Sequence, residues 1–401
     1  MSNSQKGKGK IPAASDRPGW EADMNIYEPQ SDWGFSGGAP LAKKAVNSIV
    51  FKIAIPLITI LATIAGAEVI FRSLLFNCPS LMDRWRRPGL YADAESDDNY
   101  WKLRVFFGAS PAKRDDPLLG YVKPDITPAD YYHREAQDVG GRKPVLLYGD
   151  SFAQGVAPPR DRFEGILNAR TGFNGNYHLL NYGVIGYGLD QIYLLYSKSV
   201  GHYADPVVIF SLLDGDIDRC VLSMREGQKP YFLLNEGRLE LNGLPIESDQ
   251  NRFFSQRPPD IGCYLCNLAW FAVLPNRLDP NYPAAPRTSQ KKRIAQAILL
   301  EAANDLRRRN LRYVFLVFEG MHRTWQRPLN WRISFLSDLF CRHGIPHIWA
   351  RRAIERRVAR NEFHEADYVV EDQHPNGRAN ALVADRITDW LRTGEADHDD
   401  D

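Results

Sequence analysis

The stretch Pro144–Val156, PVLLYGDSFAQGV, carries four apolar residues straight into Gly149-Asp150-Ser151 and then a run of small residues. The apolar part has the length and bounds of a buried strand, and the turn follows at once. Two readings fit an acid and a hydroxyl at that point. Asp and Ser are favoured helix N-caps, and a serine at the mouth of a sheet is also where a nucleophile is held. The rest of the chain decides between them.

Outward from Pro144 the same pattern recurs. Strand-like runs appear at YHLLNYGV, PVVIFSLL, YVFLVFEG and IPHIWA, and DQIYLLYSKSV and SQKKRIAQAILLEAANDLRRRN have helical periodicity between them. Continuous apolar strands alternating with helices imply a parallel sheet covered on both faces. The expected fold class is therefore α/β, a three-layer α/β/α sandwich. A long insertion, residues 219–288, separates the third and fourth strands, and its KPYFLLNEGRLELNGLPI reads as a β-hairpin with Asn/Gly turns. NALVADRITDWLRT reads as a closing helix, followed by an acidic tail at 393–401.

With 401 residues and 44% hydrophobic content, the chain can bury a large core. Lys+Arg and Asp+Glu number 50 and 49, so no global field draws in nucleic acid, and none is expected as a partner. Five cysteines are too few for a disulfide scaffold. Cys263 and Cys266 (CYLC) read as a thiol pair, a local disulfide or half a zinc site; no second CxxC or CxxH completes a zinc site. The arginine-rich Ala350–Arg360 reads as a solvated helix face.

Residues 1–44 are rich in Gly, Ser, Pro and Lys without periodicity and read as a disordered tail. Residues 45–71 follow, AVNSIVFKIAIPLITILATIAGAEVIF, with no charge between Ile53 and Ala67. That length and the lack of a polar face predict one transmembrane helix, an uncleaved anchor in the cytoplasmic membrane. Lysines precede it and arginines follow it, so charge gives no clean vote on orientation. Residues 72–140 are expected to connect the anchor to a catalytic domain at 141–392 and to pack on it.

Ligands of open parallel sheets bind beyond the carboxyl ends of the strands. The first strand is followed by Asp150 and Ser151, the second by NYGVIGYGLDQ with Gly183, Gly186 and Gly188, the third by DGDIDRC, and the last helix is preceded by EDQHPN with His374. A hydroxyl, a histidine and an acid are the parts of nucleophilic acyl transfer. Asp214, Asp216 and Asp218 alternate as in a calcium loop. However, Arg219 and Arg225 stand where the loop's glycine and bidentate Glu belong, so no metal is expected. No other cofactor is implied.

YGDSFAQG, NYGVIGYGLDQ and DQHPN together resemble the SGNH (GDSL-like) hydrolase superfamily in motif order and spacing, over roughly residues 140–392. The resemblance implies a parallel, flavodoxin-like sheet. It implies Ser151 as nucleophile with its own N–H as an oxyanion donor, Gly186 as a second donor, and His374 as general base. The triad acid would be Glu371, three residues before the histidine, or Asp372, two before, with Asp372 preferred. The third motif usually carries an Asn that donates to the oxyanion. None is present here; Gly215 or Asp214 falls nearest, and an ionised Asp cannot donate. Asp150, Asp214, Asp216 and Arg219 are candidate substrate-binding residues.

These readings predict a serine-dependent ester hydrolase or acyltransferase, held at the membrane with its catalytic domain outside the cytoplasm (periplasmic). Its substrate would be a small acyl ester or an acylated saccharide of the cell envelope. The competing readings are a lipid esterase or thioesterase, and a non-catalytic saccharide-binding or assembly protein that keeps the fold.

Overall fold

The sheet is built by strands whose side chains are apolar on both faces. In the computed structural model, which describes residues 40–109, 114–122, 139–273, 287–319, 331–356, 368–370 and 374–397, nine strands are present. They are β1 (Arg114–Asp116), β2 (Gly120–Val122), β3 (Lys143–Gly149), β4 (Tyr177–Gly183), β5 (Val207–Leu213), β6 (Tyr231–Asn235), β7 (Arg238–Asn242), β8 (Tyr313–Phe318) and β9 (His347–Trp349). The helices used below are α1 (Pro40–Asn77), α2 (Asp98–Phe106), α3 (Ser151–Gln154), α4 (Phe163–Ala169), α5 (Leu189–Ser199), α6 (Asp216–Arg219), α7 (Thr288–Arg308), α8 (Trp331–His343), α9 (Ala350–Glu355) and α10 (Gly377–Thr393).

Five strands form one sheet in the order β4-β3-β5-β8-β9, every pair parallel. Counted along this sheet alone the order is 2-1-3-4-5, the flavodoxin-like doubly wound arrangement. Side chains alternate between two cores. Leu146, Tyr148, Phe210 and Phe315 face the layer of α5, α7 and α8. Val145, Leu147, Ile209 and Leu316 face the layer of α4, α9 and α10. The three-layer α/β class expected from the sequence is the one observed.

The insertion forms the expected hairpin, β6–β7, antiparallel in register from Tyr231↔Asn242 to Asn235↔Arg238. It also carries short helices at Gln250–Gln256 and Tyr264–Val273. Cys263 and Cys266 are joined as a disulfide at the start of the second one, the second of the three readings of CYLC.

The chain divides into two units, Met1–Thr63 and Ile64–Asp401. Phe51–Asn77 is long and apolar enough to cross a membrane, and its large side chains, among them Ile53, Leu57 and Ile60, are exposed. Helix α1 extends the expected span at both ends; residues 1–39, most of the expected tail, lie outside the described residues. Within the second unit the connecting segment is tied down at specific points. Asp98 Oδ2 accepts from Ser223 Oγ at 2.6 Å, Leu119 O from Gln191 Nε2 at 2.7 Å, and Tyr121 O from Tyr187 Oη at 2.6 Å.

One end differs from expectation. Asp397, placed by the sequence in an acidic disordered tail, is buried. It accepts from Trp349 N at 2.8 Å and pairs with Arg356 and Arg386 at 3.1 and 3.0 Å. Arg351, expected on a solvated face, pairs with Glu319 at 3.2 Å.

Candidate active site

Strands β3 and β4 end side by side, with Gly149 paired to Gly183, so the loops after them begin together. Gly183 is required there: a Cβ would stand 2.3 Å from Gln154 N, inside the turn of α3. Asp150 caps α3, its Oδ1 accepting from Phe152 N at 2.9 Å. The cap reading is therefore realised, by Asp150. Asp150 is the cap, and Ser151 is the first residue of the helix, 6% exposed.

His374 comes from the far end of the chain. Backbone contacts on either side of it hold it: Val369 bridges Pro375, Val370 N donates to His374 O at 2.9 Å, and Asn376 N donates to Tyr368 O at 2.9 Å. Asn376 then caps α10, its Oδ1 accepting from Arg378 N and Ala379 N at 3.0 and 3.1 Å. The imidazole lies against the Phe152 ring, centroids 4.8 Å apart, and its Nε2 is 2.7 Å from Ser151 Oγ. The serine and histidine named from separate motifs, 223 residues apart, are thus in direct hydrogen-bond contact. Glu371 and Asp372, the two candidate acids, lie outside the described residues.

Gly186 sits in the loop after β4 with φ +83°, a conformation that favours glycine. Among the described residues the N–H groups of Ser151 and Gly186 have no protein acceptor. The neighbouring loop is fixed by side chains that the motif reading did not single out. Gln154 Oε1 accepts from Ile185 N at 2.9 Å, and Asn181 Nδ2 donates to Ala153 O at 2.8 Å and Glu164 Oε2 at 2.7 Å.

The third loop departs most from the reading of the sequence. Asp214 N donates to Phe318 O at 2.9 Å, so that backbone group bridges two strand ends. Asp150 and Asp216 are wholly buried and both meet Arg219, which is itself buried. Asp150, Asp216 and Arg219, the candidate substrate-binding residues, are thus engaged with one another in a buried cluster that adjoins Ser151, called the floor below. Arg219 Nη1 donates to Asp150 Oδ2 at 3.1 Å, to Tyr187 O at 3.1 Å and to Asp216 Oδ1. Asp216 Oδ2 accepts from Leu213 N at 2.9 Å. Burial, with Asp150 alongside, pushes the Asp216 carboxyl well above the usual range. Burial by itself would lower Arg219, but Asp216, Glu95 and Asp150 outweigh it and keep the guanidinium charged.

Further buried pairs extend this floor: Lys229 with Asp190, and Asp218 with both Lys291 Nζ and Arg332 Nε at 2.5 Å. Asp214, Asp216 and Asp218 therefore do not converge. Among the described residues no group of three or more His, Cys, Asp or Glu is placed to hold a metal ion.

No family model matches the chain, and no curated protein matches it in sequence. Solved structures similar to it include LAE5, an alpha/beta hydrolase enzyme from the metagenome of Lake Arreo, Spain, at 15% identity and TM-score 0.36. That likeness covers 63% of this chain and 95% of the other. Axe2, an acetylxylan esterase from Geobacillus stearothermophilus, is similar at 12% identity and TM-score 0.33, covering 65% and 97%. A protein of the G-D-S-L family from Desulfitobacterium hafniense is similar at 10% identity and TM-score 0.32, covering 62% and 99%. What the site can do rests on its own geometry.

Proposed function

We propose that the protein is a serine-dependent ester hydrolase or acyltransferase acting on O-acyl groups. The observation that carries this reading is the 2.7 Å contact between Ser151 Oγ and His374 Nε2 at the carboxyl ends of the strands. In this reading His374 takes the hydroxyl proton as Ser151 Oγ attacks the acyl carbonyl carbon. The oxygen that gains the electron pair is received by the N–H groups of Ser151 and Gly186, which have no protein acceptor among the described residues. Collapse expels the alcohol, which takes its proton from His374 and leaves an acyl-serine. Water or an acceptor hydroxyl then attacks with His374 again as base, giving hydrolysis or transfer. Asp372 or Glu371 would orient the imidazole.

The membrane setting is part of the proposal. The span Phe51–Asn77 supports an anchor, and the Cys263–Cys266 disulfide supports an oxidising compartment for the domain, hence the extracytoplasmic side. An acylated envelope saccharide is the substrate class this placement favours.

A second reading, a non-catalytic saccharide-binding protein, draws on the third loop, where no side-chain amide faces the site and Asp214 N is engaged by Phe318 O. Labelling by a fluorophosphonate probe separates the two. Catalysis requires that the wild type label and that Ser151→Ala and His374→Ala not label while remaining folded. Labelling that survives in Ser151→Ala defeats the assignment.

A further inference from the structure

We propose that Arg219 is the positioning residue of the nucleophile: it ties together the loops that follow β3, β4 and β5, and it engages Asp150 so that the Ser151 proton is directed to His374. This rests on the reading of Ser151 as nucleophile. Three observations carry it.

The first is connectivity. One nitrogen, Arg219 Nη1, reaches Asp150 of the first loop, the Tyr187 carbonyl of the second and Asp216 of the third. Tyr187 directly follows Gly186, so the same guanidinium holds the segments bearing the nucleophile and the oxyanion glycine. Room is made for it at Gly188, where a Cβ would stand 2.7 Å from Arg219 Cβ.

The second is a competition. Ser151 has one hydroxyl proton and two acceptors within reach, His374 Nε2 at 2.7 Å and Asp150 Oδ2 at 3.4 Å. Donation to Asp150 leaves the base without a proton to take. Arg219 donates to that same Oδ2, draws its charge and weakens it as a rival.

The third is the charge census. Facing Arg219 are Asp150, Asp216 and Glu95, whose Oε2 is 3.6 Å from Nε. Glu95 is shared with Arg225 at 3.3 Å and feels Arg332. Lys229 Nζ, 3.4 Å from Arg219 O, is committed to Asp190. With Arg219 removed, Asp150 and Asp216 are two buried carboxylates with no cation between them. Like charges so placed share a proton and give it up only as pH rises. Once that proton leaves, Asp150 Oδ2 competes fully for the serine hydroxyl.

The test measures fluorophosphonate labelling rates of the full chain in detergent across roughly pH 5 to 9, which brackets a histidine titration. In the wild type the rate rises with pH to a plateau. R219Q is expected to label about 100-fold more slowly, the scale of a misplaced reacting group, and to lose rate again at the alkaline end. R219Q/D150N, which removes the rival acceptor, should recover at least about tenfold of that loss and the plateau. R219Q with a wild-type profile shape, or a folded double variant with no recovery, overturns the proposal. If R219Q does not fold, R219K decides: it keeps the charge without the planar fork. It should label about tenfold more slowly with the plateau intact, the smaller loss expected when the charge is kept and only the geometry is lost; a wild-type rate overturns the proposal. Wild type that does not label, or Ser151→Ala that does, defeats the nucleophile reading itself. A wild-type-shaped R219Q beside an inert Ser151→Ala defeats only the role of Arg219.

Discussion

The two sides of the site are held by different physics. Beneath Ser151 the chain is fixed by buried charge: Asp150, Arg219 and Asp216, then Lys229 with Asp190 and Asp218 with Lys291. Around His374 it is fixed by backbone contacts between residues 368–370 and 374–376, by the Asn376 cap and by contact with the Phe152 ring. Charge buried in pairs specifies geometry sharply and fails abruptly, because losing one partner strands the other. Backbone and ring contacts yield by small steps. The Ser151 side should therefore be brittle and the His374 side tolerant, apart from those two side chains themselves.

The largest expected effect is common to both sides. Ser151→Ala or His374→Ala should lower turnover of an activated acyl ester by about 10⁴-fold or more with thermal unfolding unchanged; a parallel loss of Tm would mean that the side chains were structural. Next comes the brittleness of the floor. Lys229→Met leaves Asp190 buried and alone and should cost about 3–5 kcal/mol in denaturant unfolding. A cost under about 1 kcal/mol would show that the floor is not held by charge. On the tolerant side, Asn376→Ala should cost only about 1 kcal/mol, the usual value of a helix cap, and slow labelling modestly.

The smallest effect is in pH. Burial would raise Glu95, but Arg225 and Arg219 outweigh it and hold its carboxyl below the ordinary range. A group lowered in the folded state stabilises above its unfolded pKa, about 4.3, and loses that contribution as pH falls through the folded value. Glu95→Gln should therefore show a small deficit in Tm at neutral pH that closes below about pH 4. A deficit that widens on acidification would reverse the sign assigned to this pair.

How much of this was readable beforehand follows the same division. The sheet was legible because a strand buried on both faces is written as an unbroken apolar run, as in Val145–Tyr148 and Val207–Leu213. Ser151 and His374 stood out because each ends an apolar or capping pattern on a short polar motif. The floor was not legible. Asp150 and Arg219 are 69 residues apart, Asp190 and Lys229 are 39, and no local pattern marks such partners. DGDIDRC looked like charge offered to a ligand, because a run of acids carries no sign of which way α6 will turn them. The helix turns Asp216 and Asp218 inward to Arg219, Lys291 and Arg332. Trp331–His343 was missed although its apolar face joins the core, since PLNWRIS gives it a weak start signal.

The separation of Ser151 from His374 also sets a clock. At synthesis rates of about 5–20 residues per second, His374 leaves the ribosome roughly 11 to 45 seconds after Ser151. Through that interval β3, β4 and β5 can pair and the Arg219 floor can close, while the serine has no base beside it. The histidine must then be set by α10, which follows it in the chain. In the proposed reading, a growing or truncated chain thus carries Ser151 without its base. Reactivity, in that reading, waits on docking of α10, the helix that follows the histidine.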